Sequence, residues 1–227
     1  GHPPRFGHHG TFSFDLSNGG CGVVTALQLA DGFVGNGTAR FALIVAGDAD
    51  PSPHTTRGFP FAAAGGALLL EHVPVKTGFL GFAIRTFPED GVLFESEMRW
   101  ESDAGIVHPG RNVVEITESP RFGVRCLDHG VTVARELLQS VNLGIQDVGV
   151  LIASQFPVDF ATGLARRLEL PSECLPQIVP ELGRTHTAGP IAALEAAILS
   201  GQLAGARYTL FVTAGAGPTI AAAVYRS

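Results

Sequence analysis

Apolar residues recur along the chain with two different periods. Val24, Leu27, Ala30 and Val34 stand three and four residues apart and predict one face of a helix over residues 21–34. The turn Ser17-Asn18-Gly19-Gly20 precedes that helix, and Gly35-Asn36-Gly37 stops it. Residues 11–16, before the turn, read as a short strand. Residues 41–46 form an unbroken apolar run, the pattern of a strand buried on both faces. A Pro-rich loop over residues 51–60 leads to another strand, residues 67–71.

The same order returns near the C-terminus. Residues 183–188 form a turn, 191–199 an Ala-rich helix stopped by Gly201, and 208–213 and 221–225 two apolar strands. An ungapped offset of 167 residues pairs Gly22 with Gly189, Ala26 with Ala193, Leu27 with Leu194 and Ala30 with Ala197. It also pairs Arg40 with Arg207, Leu43 with Leu210 and Val45 with Val212, so the pattern predicts a duplicated βα unit. Between the two copies, residues 131–141 read as an amphipathic helix, 148–153 as a buried strand, and 160–168 as a helix with Arg166 and Arg167 on its wet side. Residues 73–111 alternate weakly, with Pro and Gly scattered through them. Strands separated by helices predict an α/β fold with layers α-β-α-β-α. The two halves are expected at residues 1–110 and 111–227, the first of them incomplete.

Composition narrows the function. The 227 residues are 45% hydrophobic and 16% charged, which fits a globular core and excludes a charge-rich disordered segment. A formal charge of −6 offers no basic footprint for nucleic acid or an anionic membrane. The apolar runs are too short to span a bilayer. Three cysteines without CxxC spacing argue against a disulfide scaffold or zinc knuckle and suit the cytoplasm. No nucleotide-binding glycine fingerprint or metal cluster stands out, so no cofactor is expected.

The chemistry lies in the turns. Phe14-Asp15-Leu16-Ser17-Asn18-Gly19-Gly20-Cys21-Gly22, followed by an Ala-Leu helix and a strand ending in Gly47-Asp48, resembles the thiolase-fold ketosynthases, in particular the ketoacyl-acyl-carrier-protein synthase III group. Residues 61–70, residues 182–189 and the loop Ala214-Gly215-Ala216-Gly217 resemble further motifs of that family, in the same order. The resemblance implies a Cys nucleophile at a helix N-terminus, where unpaired N–H groups and the helix dipole favour a thiolate. It also implies a His and an Asn on the thioester carbonyl, and an oxyanion hole built from Gly20, Gly215 and Gly217.

All three catalytic positions depart from that pattern. The nucleophile position falls on Gly20, and Cys21 comes one residue later, about 100° further round a helix of ~3.6 residues per turn. The His position is Ser154, which lacks an imidazole's basicity, and the Asn position is Arg184. His186 lies two residues beyond Arg184 and offers a rebuilt pair with Cys21 or Ser154. The remaining histidines have no Cys or carboxylate at metal-ligand spacing. Asp48 and Asp50 read equally as paired carboxylates or as a solvated loop.

Two functions therefore stand open. One is a catalytically degenerate ketosynthase III-like subunit that pairs with an active ketosynthase in fatty-acid or polyketide type biosynthesis. The other is an active acyltransferase or thioesterase using Cys21 with His186 on an acyl-CoA or acyl-carrier-protein substrate. The resemblance implies a dimer or higher oligomer. The family's N-terminal third has no counterpart ahead of Phe14, and it is expected on another chain, or disordered or removed from this one, because the strand over residues 41–46 otherwise presents an open edge.

Overall fold

The computed structural model describes residues 11–50, 56, 58–73, 76–102 and 110–227. A single 3-10 turn, Gly19–Cys21, opens into helix α1 (Gly22–Gly35), followed by the antiparallel strands β1 (Phe41–Asp48) and β2 (Ala64–Glu71). Next come β3 (Gly78–Thr86), the hairpin β4 (Phe94–Ser102) and β5 (Gly110–Glu118), and α2 (Arg121–Ser140). The chain continues through β6 (Val148–Ala153), α3 (Phe160–Leu168), α4 (Gly189–Leu199), β7 (Tyr208–Gly215) and β8 (Thr219–Arg226).

These elements stack in layers. The β1–β2 pair covers α1 and α4; those helices lie on a sheet ordered β3-β8-β7-β6, and α2 and α3 cover its other face. Strand β7 is buried along its whole length, as expected of a central strand with helices on both faces. Its apolar residues serve two cores: Leu210 and Val212 face α2, and Phe211 faces α1. The 167-residue offset carries the first residue of α1 onto the first of α4 and β1 onto β7 end to end. Each strand then pairs antiparallel with the next, so both copies have the same topology.

Several sequence expectations are corrected. Residues 11–16 form no strand: no neighbouring strand among the described residues offers them a ladder, and Phe12 and Phe14 pack edge-on to Phe33. Strand β1 is buried on one face only. Ile44 and Ala46 point to α1, whereas Leu43 and Val45 on the other side are 65% and 72% exposed. Among the described residues, no helix covers the outer face of β1–β2. The larger sheet takes its first strand, β3, from residue 78 onward. Strands β3 and β4 fill the stretch 73–111 that periodicity left unread, and β5 starts at its end. Helix α2 begins ten residues before the expected 131, because its first turns carry Arg121, Arg125, Asp128 and His129 between the buried Phe122, Cys126 and Gly130.

Helices α2 and α3 touch at Gly130, where a Cβ would meet the Phe160 ring at 3.0 Å. Leu164, fully buried in the same contact region, sets a stability test. Leu164→Ala should cost about 2–5 kcal/mol in urea unfolding, whereas Leu43→Ser should leave the midpoint nearly unchanged and reduce self-association in light scattering.

Candidate active site

The turn ahead of α1, the turn ahead of α4 and the β7–β8 loop converge at one end of the molecule. Asp48 ends β1 and is 8% exposed. Its carboxylate accepts the backbone N–H groups of His186 at 2.9 Å, Thr187 at 2.7 Å and Ala188 at 3.0 Å. These are the unpaired donors of the turn entering α4, where a carboxylate also meets the positive end of the helix dipole. On the other side of that turn, Gln155 accepts the Thr185 N–H at 3.0 Å and the Thr185 hydroxyl. Gly22, the first residue of α1, packs against Thr187, so the two helix N-termini meet here.

His186 is held by aromatic packing. Its ring stacks on Phe61 with centroids 4.3 Å apart and meets Phe156 edge-on at 6.2 Å. Burial lowers its pKa from 6.5, opposed by the nearby Asp48 charge. The imidazole lies over Gly19 and Gly20: its Nε2 is 3.4 Å from where a Gly20 Cβ would stand. Gly19 has φ +47°, a backbone position that suits glycine. At Gly20 the limit is contact instead, since any Cβ would collide with the Ala214 carbonyl oxygen. The position that the resemblance assigns to a nucleophile cannot carry a side chain without moving β7.

The other predicted residues separate. Cys21 is completely buried, and its thiol donates to the carbonyls of Thr219 at 3.2 Å and Thr213 at 3.5 Å. Burial pushes its pKa up to about 11, the opposite of an activated thiolate. No hydrogen bond joins it to His186. Ser154 is 1% exposed, and its Oγ accepts the Ala214 N–H at 2.9 Å, so this hydroxyl braces the end of β7. Arg184 is exposed and meets the site only through its backbone, whose carbonyl accepts the Ala62 N–H. Gly215 approaches the Gly20 and Cys21 amides, at 3.3 and 3.5 Å from a built Cβ, while Gly217 (φ +115°) makes the β7–β8 turn. His186 is hydrogen-bonded to neither of its expected partners, Cys21 and Ser154; its ring lies over Gly20 instead.

Sequence reasoning missed two groupings. Asp48 is an anchor, not a solvated loop residue; its partners lie some 140 positions away, and only its place at a strand end hinted at it. Asp90 holds both His129 Nε2 at 2.8 Å and Arg125 Nε at 2.7 Å, 39 and 35 positions distant. The His129 hydrogen bond first, then Arg125, keeps its carboxyl below the usual range. Glu89 joins these two as a set of neighbouring donors, but the Arg125 cation already occupies the carboxylate. His8, His9, His54 and His108 lie outside the described residues.

Comparison with known proteins agrees with this architecture. A family model for 3-oxoacyl-(acyl-carrier-protein) synthase III matches residues 14–88, and the model for its C-terminal part matches 138–227. The beta-ketoacyl-(acyl-carrier-protein) synthase III of Xanthomonas campestris pv. campestris is 28% identical over 98% of this chain and 69% of its own. The Aquifex aeolicus protein of the same name is 25% identical over 96% and 67%. A crystal structure of the 3-oxoacyl-(acyl-carrier-protein) synthase III from Aquifex aeolicus superposes with a TM-score of 0.79 at 23% identity, covering 96% of this chain and 68% of that one. No helix among the described residues is long and apolar enough to cross a membrane.

Two measurements probe the site. Asp48→Ala strands three N–H donors and should cost roughly 1–3 kcal/mol in denaturant unfolding. His186 has a folded pKa below the 6.5 of the unfolded chain, so below that pH the unfolded state takes up the proton first. Stability should therefore be full above about 6.5 and fall as the pH drops toward the folded value, and His186→Phe should flatten that acid limb.

Proposed function

The chain belongs to the 3-oxoacyl-(acyl-carrier-protein) synthase III family, and from that premise we propose that it is a catalytically silent, cytoplasmic member pairing with an active ketosynthase in acyl-thioester biosynthesis of fatty-acid or polyketide type. The observation that carries this reading is Gly20. Ketosynthase chemistry needs a thiolate whose sulfur attacks the thioester carbonyl and expels the carrier thiol. Here the Ala214 carbonyl fills the space in which that side chain would start, and the neighbouring thiol is buried and protonated. Phe61, Phe156 and His186 pack together beside this turn. A partner is supported by the bare outer side of β1–β2, where Leu43, Val45 and Leu69 are each more than 60% exposed. The acyl carrier would be coenzyme A or an acyl carrier protein, presented to the active partner.

One observation favours the second function, an acyltransferase or thioesterase using Cys21. His186 is kept neutral by burial beside the turn that carries the cysteine, which is the protonation state of a general base. That function requires the turn to rotate Cys21 out of its bonds to Thr213 and Thr219.

Intact-mass spectrometry after incubation with mixed acyl-CoA thioesters separates the two. The silent subunit should carry no acyl adduct, and its Cys21 should resist iodoacetamide at pH 8 until the chain is denatured. An adduct that disappears in Cys21→Ala would instead establish the transferase.

A further inference from the structure

A chamber of about 610 Å³ opens at the end of the molecule where α1 and α4 finish, remote in the fold from the Gly20 turn. Its size falls within the ~300–1,000 Å³ of small-molecule sites. The walls are apolar: Leu27 of α1, Leu68 of β2, Leu194 of α4, and Phe79 and Phe211 of the larger sheet. Thr77 and Ser227 add polar edges, and one deeply buried wall residue is also polar. Thr209 lies two positions before Phe211 on β7, hence on the same face, is 1% exposed, and its hydroxyl has no hydrogen-bond partner among the described residues. Valine would fill that volume without leaving a buried polar atom unsatisfied, so the hydroxyl points to a polar group that enters the chamber.

The rim carries charge of one sign. Asp31 on α1 and Glu71 at the end of β2 border the opening with His72, and among the described residues no Lys or Arg lines it. Both central helices present their C-terminal ends here, which adds partial negative charge. Burial holds the Asp31 carboxyl above its ordinary pKa, as expected where nothing cationic compensates it. A fatty carboxylate entering this chamber would meet like charge, and an ammonium would meet its complement.

We propose that this chamber binds an aliphatic amine with a second, hydrogen-bonding end: the ammonium at Asp31 on the rim, the chain against the leucine and phenylalanine walls, and the polar end at the Thr209 hydroxyl. The site is separate from the Gly20 turn and stands whether or not that turn is silent.

Calorimetry on the full chain with three probes of one length, each below its aggregation concentration, tests this. 10-Amino-1-decanol should bind saturably, one per chain, and 10-hydroxydecanoate at least about tenfold more weakly. Asp31→Asn, an exposed change that leaves the fold alone, should weaken amine binding about tenfold and erase the discrimination against the carboxylate. Thr209→Val should remove the preference for 10-amino-1-decanol over decylamine while leaving decylamine binding intact. Equal binding of amine and carboxylate, insensitivity to Asp31→Asn, or no saturable binding of any probe would overturn the proposal.

Discussion

The Asp48 carboxylate is the contact on which the arrangement of this molecule turns. It ends a strand of one sheet and takes three backbone N–H groups from the turn that enters α4. In a buried setting those donors have no water to turn to, so an acceptor at this point is obligatory and not ornamental. The bond set fixes where β1 stands relative to α4, and it orients residues 186–188, which in turn places the His186 ring over the Gly19–Gly20 turn. Gln155 holds the opposite side of the same loop through Thr185, so the loop is clamped from both layers.

On the reading proposed above, that clamping keeps the geometry of a ketosynthase site without its chemistry. The two helix N-termini still meet, and the glycine loop still approaches the Gly20 and Cys21 amides. What has changed is occupancy. Gly20 lets the Ala214 carbonyl close on the turn, Ser154 spends its oxygen on the Ala214 amide, and Cys21 caps two carbonyls of the β7–β8 hairpin. On the same reading, groups that would face substrate serve the backbone instead: the Ser154 oxygen and the Cys21 thiol each hold backbone partners.

Much of this was legible in the chain. The 3.6-residue spacing of Val24, Leu27, Ala30 and Val34 located α1, and the offset of 167 residues anticipated that α1–β1 and α4–β7 are equivalent. The one-residue displacement of Cys21 from the nucleophile position also foretold that its sulfur would turn away, because neighbouring helical residues differ by ~100°. Three features were not legible. Strands β3 to β5 interleave Gly and charged residues with their apolar ones, and β3 finds its partner, β8, far along the chain. Burial of β1 was overestimated, since an apolar run such as 41–46 records what a strand can bury and not what covers it. The role of Asp48 depends on three amides far along the chain, and backbone donors have no sequence signature.

The two central helices give the molecule opposite ends. Both begin beside the Gly20 turn and both finish at the chamber, so they run in the same direction between the sheets. Their aligned dipoles make the first end a place for negative charge, which Asp48 supplies, and the second a place for positive charge, which no lining residue supplies. An active relative would use the first end to stabilise a thiolate and an oxyanion. In this chain a fixed carboxylate stands at that end, and burial raises the pKa of the neighbouring Cys21 thiol. The second end keeps its charge uncompensated beside an orphaned threonine hydroxyl.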